Sequence, residues 1–283
     1  MRGICFAGGG IKAAAHIGAL KAFEEEGREF ECVSGASSGS IIAIMYALGY
    51  NSEEMWGIFQ KFASKIKYYQ WRQILKLIGG LIFKREIIID GLNSGKAIEK
   101  IIEDICDKKQ ISNINQIEMP LLISMVDMQT GTVYIASSKE IRAPLLDNTK
   151  YITDMPIGKA IRASCSYPFV FCPCEHEGRQ LIDGSVRENL PWRHLKLIGA
   201  DEVWGITFNT ISNKEECCSN IIEVATRAME LQGRELSVYE KDGIDNLITI
   251  NMKKVSLLDV ANAEYLYKMG YEQVKKQILK KFI

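Results

Sequence analysis

The chain has 283 residues, of which 47% are apolar and 25% are charged, and its formal net charge is zero at pH 7. This composition is typical of a globular protein, and the balanced charge argues against nucleic acid as a partner. No run approaches the roughly 20 apolar residues of a membrane-spanning helix, and the first residues lack a signal-peptide pattern, so we expect a cytoplasmic protein.

The N-terminal part of the chain predicts two strand–helix units. Arg2 to Ala7 is an apolar run that ends at Gly8-Gly9-Gly10, and Ile11 to Glu26 follows with helical spacing. Phe30 to Ser34 then predicts a second strand, and Ser38 to Leu48 predicts an apolar helix. Both strand–helix junctions are therefore rich in glycine.

The second junction contains a G-x-S-x-G pattern, Gly35-Ala36-Ser37-Ser38-Gly39. Such a pattern between a strand and a helix predicts a nucleophile elbow, in which a tight turn presents the serine hydroxyl and side chains at the flanking glycines would clash. The glycines of the first junction offer backbone N–H groups that could bind an oxyanion. The alternative is a glycine-bounded turn in an α/β protein without this chemistry.

The segment from Lys61 to Arg85 has a different character. It contains seven Lys or Arg residues and no acidic residue, interleaved with aromatic and aliphatic side chains. A basic, aromatic-rich amphipathic segment is typical of a helix at a lipid surface. It predicts a lid or membrane-facing segment over residues 61–91, with Gly79-Gly80 as a hinge. The alternative is a pair of helices that covers the core while the lysines reach water.

The rest of the chain alternates strand-like and helix-like segments. The predicted strands are Pro120 to Val126, Thr132 to Ala136, Glu202 to Phe208 and Asn246 to Ile250. The predicted helices are Leu92 to Cys106, Asn220 to Tyr239 and Ala261 to Lys281. This alternation indicates an α/β layer with a largely parallel sheet. No shift in composition marks a boundary, so we expect one domain over residues 1–283.

A serine nucleophile needs a base, which is most often histidine. The chain has three histidines, at 16, 176 and 194. His194 could complete a Ser…Asp…His order, but its neighbours predict the start of a surface helix. Asp183 follows the apolar Leu181-Ile182 and precedes Gly184, which places a carboxylate at a strand end, where burial can raise its pKa. A plain Asp-Gly turn is the alternative.

The eight cysteines are expected to be reduced thiols. Cys172-Pro173-Cys174 with His176 is a cluster of candidate metal ligands, but it lacks the C-x₂-C spacing of zinc sites. We therefore expect no metal.

Three motifs, in this order, give the chain a family resemblance. Gly8 to Ala13 resembles a G-x-G-x-[RK]-G segment, Gly35 to Gly39 is the G-x-S-x-G pattern, and Asp183 to Ser185 resembles D-G-[GA]. Together they closely resemble the patatin-like phospholipases. Further likeness lies in Ala13 to Leu20, Ala163-Ser164, Pro168-Phe169, Asn189-Leu190-Pro191 and Gly270-Tyr271.

The resemblance implies a three-layer α/β/α sandwich and a Ser-Asp dyad that hydrolyses acyl esters of lipids without histidine. Carried over by motif, Ser37 is the nucleophile, Asp183 is the base, and the oxyanion hole lies in Gly8, Gly9, Gly10, Ile11 and Lys12. No metal or organic cofactor is implied. The chain departs from the family pattern at Ala13 and at Ser185. Ser185 could hydrogen-bond Asp183 and lower its pKa.

The expected function is therefore hydrolysis of fatty-acyl esters of phospholipids or lysophospholipids through an acyl-enzyme. An acyltransferase that uses the same dyad and a catalytically weak lipid-binding regulatory protein remain as alternatives. The expected partners are the lipid substrate and, through residues 61–85, a membrane surface. The oligomeric state stays open.

Overall fold

The computed structural model of the chain describes residues 1–63, 70–79, 89–142, 146–211, 217–219, 221–253, 255 and 260–280. Its strands are β1 Arg2–Phe6, β2 Cys32–Ala36, β3 Leu121–Asp127, β4 Val133–Ser137, β5 Thr149–Ile152, β6 Cys174–His176, β7 Arg179–Asp183, β8 Glu202–Ile211 and β9 Asn246–Lys253. Its α-helices are α1 Ala13–Glu25, α2 Ser38–Ala47, α3 Ser52–Ala63, α4 Trp71–Gly79, α5 Lys96–Asp107, α6 Ile157–Ser164, α7 Arg193–Leu197, α8 Ile221–Glu240 and α9 Ala263–Lys280.

The strands form one mixed sheet in the order β5-β4-β3-β2-β1-β8-β9, with β6 and β7 attached at the β3 side. Parallel pairing joins β3, β2, β1, β8 and β9 in this order. Two strands, β4 and β7, pair antiparallel with β3. The short turn between β3 and β4 explains the first of these, since a hairpin needs only a few connecting residues and a parallel pair needs a crossover.

Helices cover both faces of this sheet, and the side chains of β1 show the two layers. Ile4 and Phe6 pack into the larger apolar core, which contains buried residues of α1, α2, α5, α6 and α9. Cys5, together with Ala7 just beyond the end of the strand, packs on the opposite face, in a smaller core with Leu195 of α7. The alternation follows from the two-residue period of a strand. The helices on both faces and the parallel pairing together confirm the expected α/β architecture with a mostly parallel central sheet.

The last helix packs closely against the first. A Cβ atom added at Gly18 of α1 would lie 2.0 Å from the Tyr267 carbonyl oxygen, and one added at Gly270 would lie 2.0 Å from the Ala15 carbonyl oxygen. Both positions therefore need glycine, because the two backbones meet there.

One predicted helix begins later than expected. Residues Leu92 to Gly95 are not helical, and α5 begins at Lys96. The Asn93 side chain accepts a hydrogen bond from the Gly95 amide at 2.8 Å, and Gly95 has φ of 71°. This local turn replaces the first turn of the predicted helix.

Candidate active site

Ser37 lies at the sharp turn between β2 and α2. Its φ of 51° and ψ of −130° are unusual for a residue with a side chain. Such strain persists only when the surroundings hold it, and it is common at functional sites. A Cβ atom at Gly35 would lie 2.6 Å from the Gly39 backbone, and one at Gly39 would lie 2.3 Å from the Phe6 carbonyl oxygen. The two glycines therefore let the turn close against β1.

Asp183 lies at the end of β7, directly across from Ser37. The Ser37 hydroxyl donates to Asp183 Oδ2 at 2.6 Å, although the two residues are 146 positions apart in the chain. Asp183 Oδ1 accepts the Ser185 amide N–H at 2.8 Å, which caps a short 3₁₀ turn, Gly184–Val186. Pairing of β7 with β3, with Asp183 opposite Met125, brings the carboxylate to this place.

Burial controls the acidity of Asp183. The side chain is fully buried, and this loss of hydration raises its pKa from 3.8 to about 6. Hydrogen bonds from Ser37 and Ser185 act in the opposite direction and stabilise the carboxylate. The effect expected of Ser185 is therefore present but smaller than that of burial. The resulting carboxylate is a stronger base than an ordinary aspartate and is ionised at neutral pH.

The glycine loop between β1 and α1 lies against the same turn. The Gly8 amide donates to Asn189 Oδ1 at 2.8 Å, and the Gly9 amide donates to Ser38 Oγ at 3.1 Å. The amides of Gly10 and Ile11 open the 3₁₀ turn Gly10–Lys12, and leading amides of a helical turn have no partner within it. These two N–H groups are thus the ones suited to bind an oxyanion.

The histidines occupy other places. His16 is fully buried, its Nε2 lies 2.7 Å from the Ala7 carbonyl oxygen, and burial lowers its pKa to about 4. His194 Nε2 lies 2.9 Å from Glu188, and its Nδ1 lies 2.7 Å from the Tyr151 hydroxyl. The helix predicted to start around His194 is α7, but the histidine is not on its exposed side, because its side chain is fully buried. The hydrogen bonds of Ser37 and of Asp183 go to residues other than these histidines.

A cleft of about 1830 Å³ opens above Ser37 and the glycine loop. One wall is apolar and comes from α2, α3 and α5; it includes Ile41, Met45, Ile58, Phe59, Ile98 and Ile102. Another part of the lining is polar and comes largely from α8; it includes Thr226, Arg227, Glu230, Arg234 and Glu235. The cleft can therefore hold a molecule with a long apolar group and a polar group.

Lys12 lies in this cleft beside the glycine loop. Burial lowers its pKa, while the charge of Glu230 raises it and that of Arg234 lowers it again. Its ammonium group also lies 5.9 Å from the centre of the Phe208 ring. The end of the cleft near the loop therefore contains the cationic side chains of Lys12 and Arg234 together with the carboxylate of Glu230.

The structure describes only part of the predicted lid or membrane-facing segment, 61–91. Within it, α4 exposes one apolar face, with Trp71 72%, Leu75 63% and Ile78 46% exposed. Residues 64–69 and 80–88 lie outside the described part, including Gly80 of the predicted hinge.

The described residues contain neither a membrane-spanning helix nor a cluster of metal ligands. No described helix has both the length and the apolar character needed to cross a membrane. In the described part of the chain, His, Cys, Asp and Glu side chains do not gather in groups of three or more that could hold a metal ion.

Three residues in contact with the site had no predicted role. Ser164 Oγ accepts the Ser37 amide at 2.9 Å and so holds the strained turn. Ser38 and Asn189 accept the amides of the glycine loop. Ser164 and Asn189 both stand in sequence segments that resemble the family, but only the folded structure shows what they touch.

A family model and two relatives match much of the chain. A family model described as "Patatin-like phospholipase" matches residues 4–196. "Uncharacterized protein YqhO" of Bacillus subtilis is 29% identical over 202 residues, which cover 66% of this chain and 64% of that protein. "Lysophospholipase nte1" of Emericella nidulans is 25% identical over 303 residues, which cover 98% of this chain and 18% of that protein. The chain thus spans less than two thirds of each of these two relatives.

Among solved structures, VipD of Legionella pneumophila shares the fold. It superposes with a TM-score of 0.57 at 16% identity, and the match covers 99% of this chain and 67% of that one.

Proposed function

The chain belongs to the patatin-like phospholipase family, whose members are lipid acyl hydrolases, and on this premise we propose that Ser37 and Asp183 form its catalytic dyad. The observation that carries the proposal is the 2.6 Å hydrogen bond from the Ser37 hydroxyl to a fully buried carboxylate. A nucleophile in contact with a base of raised pKa, at the floor of a cleft, is the arrangement that acyl transfer requires.

In the proposed reaction, Asp183 Oδ2 accepts the Ser37 proton as Ser37 Oγ attacks the ester carbonyl carbon. The negative charge that develops on the carbonyl oxygen is held by the amides of Gly10 and Ile11, at the positive end of α1. The C–O bond to the leaving alcohol then breaks, and Asp183 returns its proton to that oxygen. This leaves the acyl group on Ser37.

The second half of the reaction repeats these roles with water. Asp183 takes a proton from a water molecule, whose oxygen attacks the acyl-enzyme carbonyl carbon. When the bond to Ser37 Oγ breaks, Asp183 gives the proton to that oxygen, and the fatty acid leaves. Lys12 adds positive charge beside the glycine loop during both steps.

The two walls of the cleft support a lipid as substrate. A fatty-acyl chain fits the apolar wall from α2, α3 and α5, because burying its methylene groups is favourable. The ester's polar head then lies toward α8, where the cations Lys12 and Arg234 lie beside Glu230 and can pair with an anionic group. Phospholipids and lysophospholipids have this combination, and the name of the Emericella relative favours lysophospholipids as the first substrate to assay.

We further propose that α4 contacts the membrane from which the substrate comes. Its exposed apolar residues, Trp71, Leu75 and Ile78, follow helical spacing, and exposed Arg72 and Lys76 flank them. Gln73 Nε2 contacts Cys172 Sγ at 3.3 Å, next to Phe171 of the cleft wall. The helix therefore lies beside the cleft.

We also propose that residues 1–283 form one domain. Strand β1 from the N-terminus pairs with β8, which in turn pairs with β9, and α9 packs on α1. These contacts support the proposal, because β8, β9 and α9 follow residue 196 and pack with elements of the part that matches the family.

The experiment that tests the dyad combines covalent labelling with turnover. The protein is treated with a fluorophosphonate and assayed against phospholipid and lysophospholipid in mixed micelles. We expect labelling and release of fatty acid, and we expect Ser37→Ala to lose both. Ser112→Ala, at an exposed serine outside the cleft lining, is the matched control and should retain both.

Full labelling of the Ser37→Ala protein would refute the assignment of the nucleophile. Adding unlabelled lysolipid as an acceptor to the same assay distinguishes transfer from hydrolysis, because a transferase would convert the acceptor into a new diacyl lipid.

A further inference from the structure

The side chain of Asn189 contacts the glycine loop at Gly8, next to the nucleophile. Asn189 Oδ1 accepts the Gly8 amide at 2.8 Å. A Cβ atom built on Gly8 would lie 2.8 Å from Asn189 Oδ1 and also 2.8 Å from Ser37 Cβ. Gly8 therefore packs closely against both Asn189 and the nucleophile turn, and no side chain fits there.

Asn189 is itself held by the last residue of α8. The backbone amide of Asn189 donates to Glu240 Oε1 at 2.5 Å. Glu240 is only 8% exposed. The indole of Trp192 donates to the carbonyl oxygen of Glu240 at 2.6 Å and fixes the end of the helix. A chain of contacts thus runs from α8 through Asn189 to the glycine loop.

The same short segment carries the base. Asp183 and Asn189 are joined by the Gly184–Val186 turn, and the Glu188 amide donates to the Gly184 carbonyl oxygen at 2.8 Å. The Glu188 carbonyl oxygen accepts the Ser124 hydroxyl of β3 at 3.0 Å, and its carboxylate contacts His194. Hydrogen bonds to Gly184, Ser124 and His194 therefore hold the segment that carries both Asp183 and Asn189.

We propose that Asn189 is a positioning residue that orients the amides of Gly10 and Ile11 toward the oxyanion. Glu240 of α8 holds Asn189 in this position. The Gly8 amide is committed to Asn189, so it does not serve the oxyanion itself. Its bond instead sets where the loop leaves β1, and with it the direction of the Gly10 and Ile11 amides. This inference rests on the proposed function, since it assumes acyl transfer at Ser37.

A positioning role predicts a loss in kcat rather than in KM. Removing one oxyanion donor lowers kcat by about 10²–10³, and a displacement of about 1 Å in a positioned group lowers it by about 10². We expect Asn189→Ala to lower kcat about 10²-fold, with KM changed less than about threefold because the acyl and head-group walls are untouched.

Glu240 supplies the rescue test. Glu240→Ala leaves the backbone amide of Asn189 without this acceptor and should lower kcat less than Asn189→Ala does. Glu240→Gln keeps an acceptor oxygen and should restore kcat. Since both residues act through one contact chain, the double variant Asn189→Ala/Glu240→Ala should match Asn189→Ala alone rather than the product of the two losses.

Turnover is expressed per active site, titrated with a fluorophosphonate, and the folded state is followed by thermal unfolding. Asn113→Ala is the matched control, because Asn113 also accepts backbone amides, from Asn115 and Met155, but does not line the cleft. It should lose stability and keep kcat.

A kcat for Asn189→Ala within threefold of the native value overturns the positioning role. A rise in KM at unchanged kcat also overturns it and makes Asn189 a substrate contact. A double variant with the product of both losses overturns the link through Glu240. Failure of the proposed function is distinguishable, since hydrolysis would then persist in Ser37→Ala whatever Asn189 does.

Discussion

Asp183→Asn is predicted to remove activity and to stabilise the fold at the same time. The native carboxylate is fully buried, and its pKa is raised from 3.8 to about 6. The two hydrogen bonds can survive the substitution: the new side-chain oxygen accepts the Ser185 amide, and the new side-chain amide donates to Ser37 Oγ. The substitution therefore mainly removes the burial of a negative charge.

The size of the effect follows from the pKa. A shift of about 2 units corresponds to about 3 kcal/mol, at about 1.36 kcal/mol per unit. Because the folded-state pKa is raised, the contribution of Asp183 to native stability is greatest below pH 4 and is lost as pH rises through 6. We expect Asp183→Asn to match the native protein near pH 3.5 and to exceed its free energy of unfolding by up to about 3 kcal/mol at pH 8.

Urea unfolding of both proteins at intervals from pH 3.5 to pH 8 measures this difference. Turnover at pH 8 should fall by about 10²–10⁴ in the variant, the usual contribution of a general base. A stability difference that does not change with pH would refute the assignment of the raised pKa to Asp183. If the Asp183→Asn variant is less stable than the native protein at pH 8, a lost hydrogen bond outweighs the buried charge.

Two other predictions concern the pH dependence of turnover and the membrane contact of α4. The native kcat/KM should be half-maximal near pH 6 and fall about tenfold per pH unit below it, because the proposed base must be ionised. A kcat/KM that stays constant down to about pH 4.5 would contradict the role of Asp183 as the base. Leu75→Glu on the exposed face of α4 should weaken binding to anionic vesicles and leave hydrolysis of a soluble short-chain ester unchanged. Glu53→Gln, at an exposed residue of α3, is the control and should change neither. Unchanged sedimentation of the Leu75→Glu protein with vesicles would contradict the membrane contact.

The local features of the site could be predicted from the sequence because they depend on neighbouring residues. A strand period, a helix period and the glycines between them place Ser37 on a tight turn. Spacing also predicted most helices to within a few residues, although a local turn at Asn93 delays the start of α5. The antiparallel pairing of β4 and β7 with β3 was not predicted, since periodicity reports burial along one strand and not the direction of its partner.

The contacts that give these residues their chemistry were decided by tertiary structure. Asp183 reaches Ser37 because β7 pairs with β3, and its pKa rises because the assembled layers exclude water from it. The buried pair of His194 with Glu188 and the contact of Asn189 with Gly8 join residues from separate elements. The sequence by itself determined which groups can react and where the turns lie. Only the packed structure decided which groups meet and how burial changes their charge, because both depend on residues far apart in the chain.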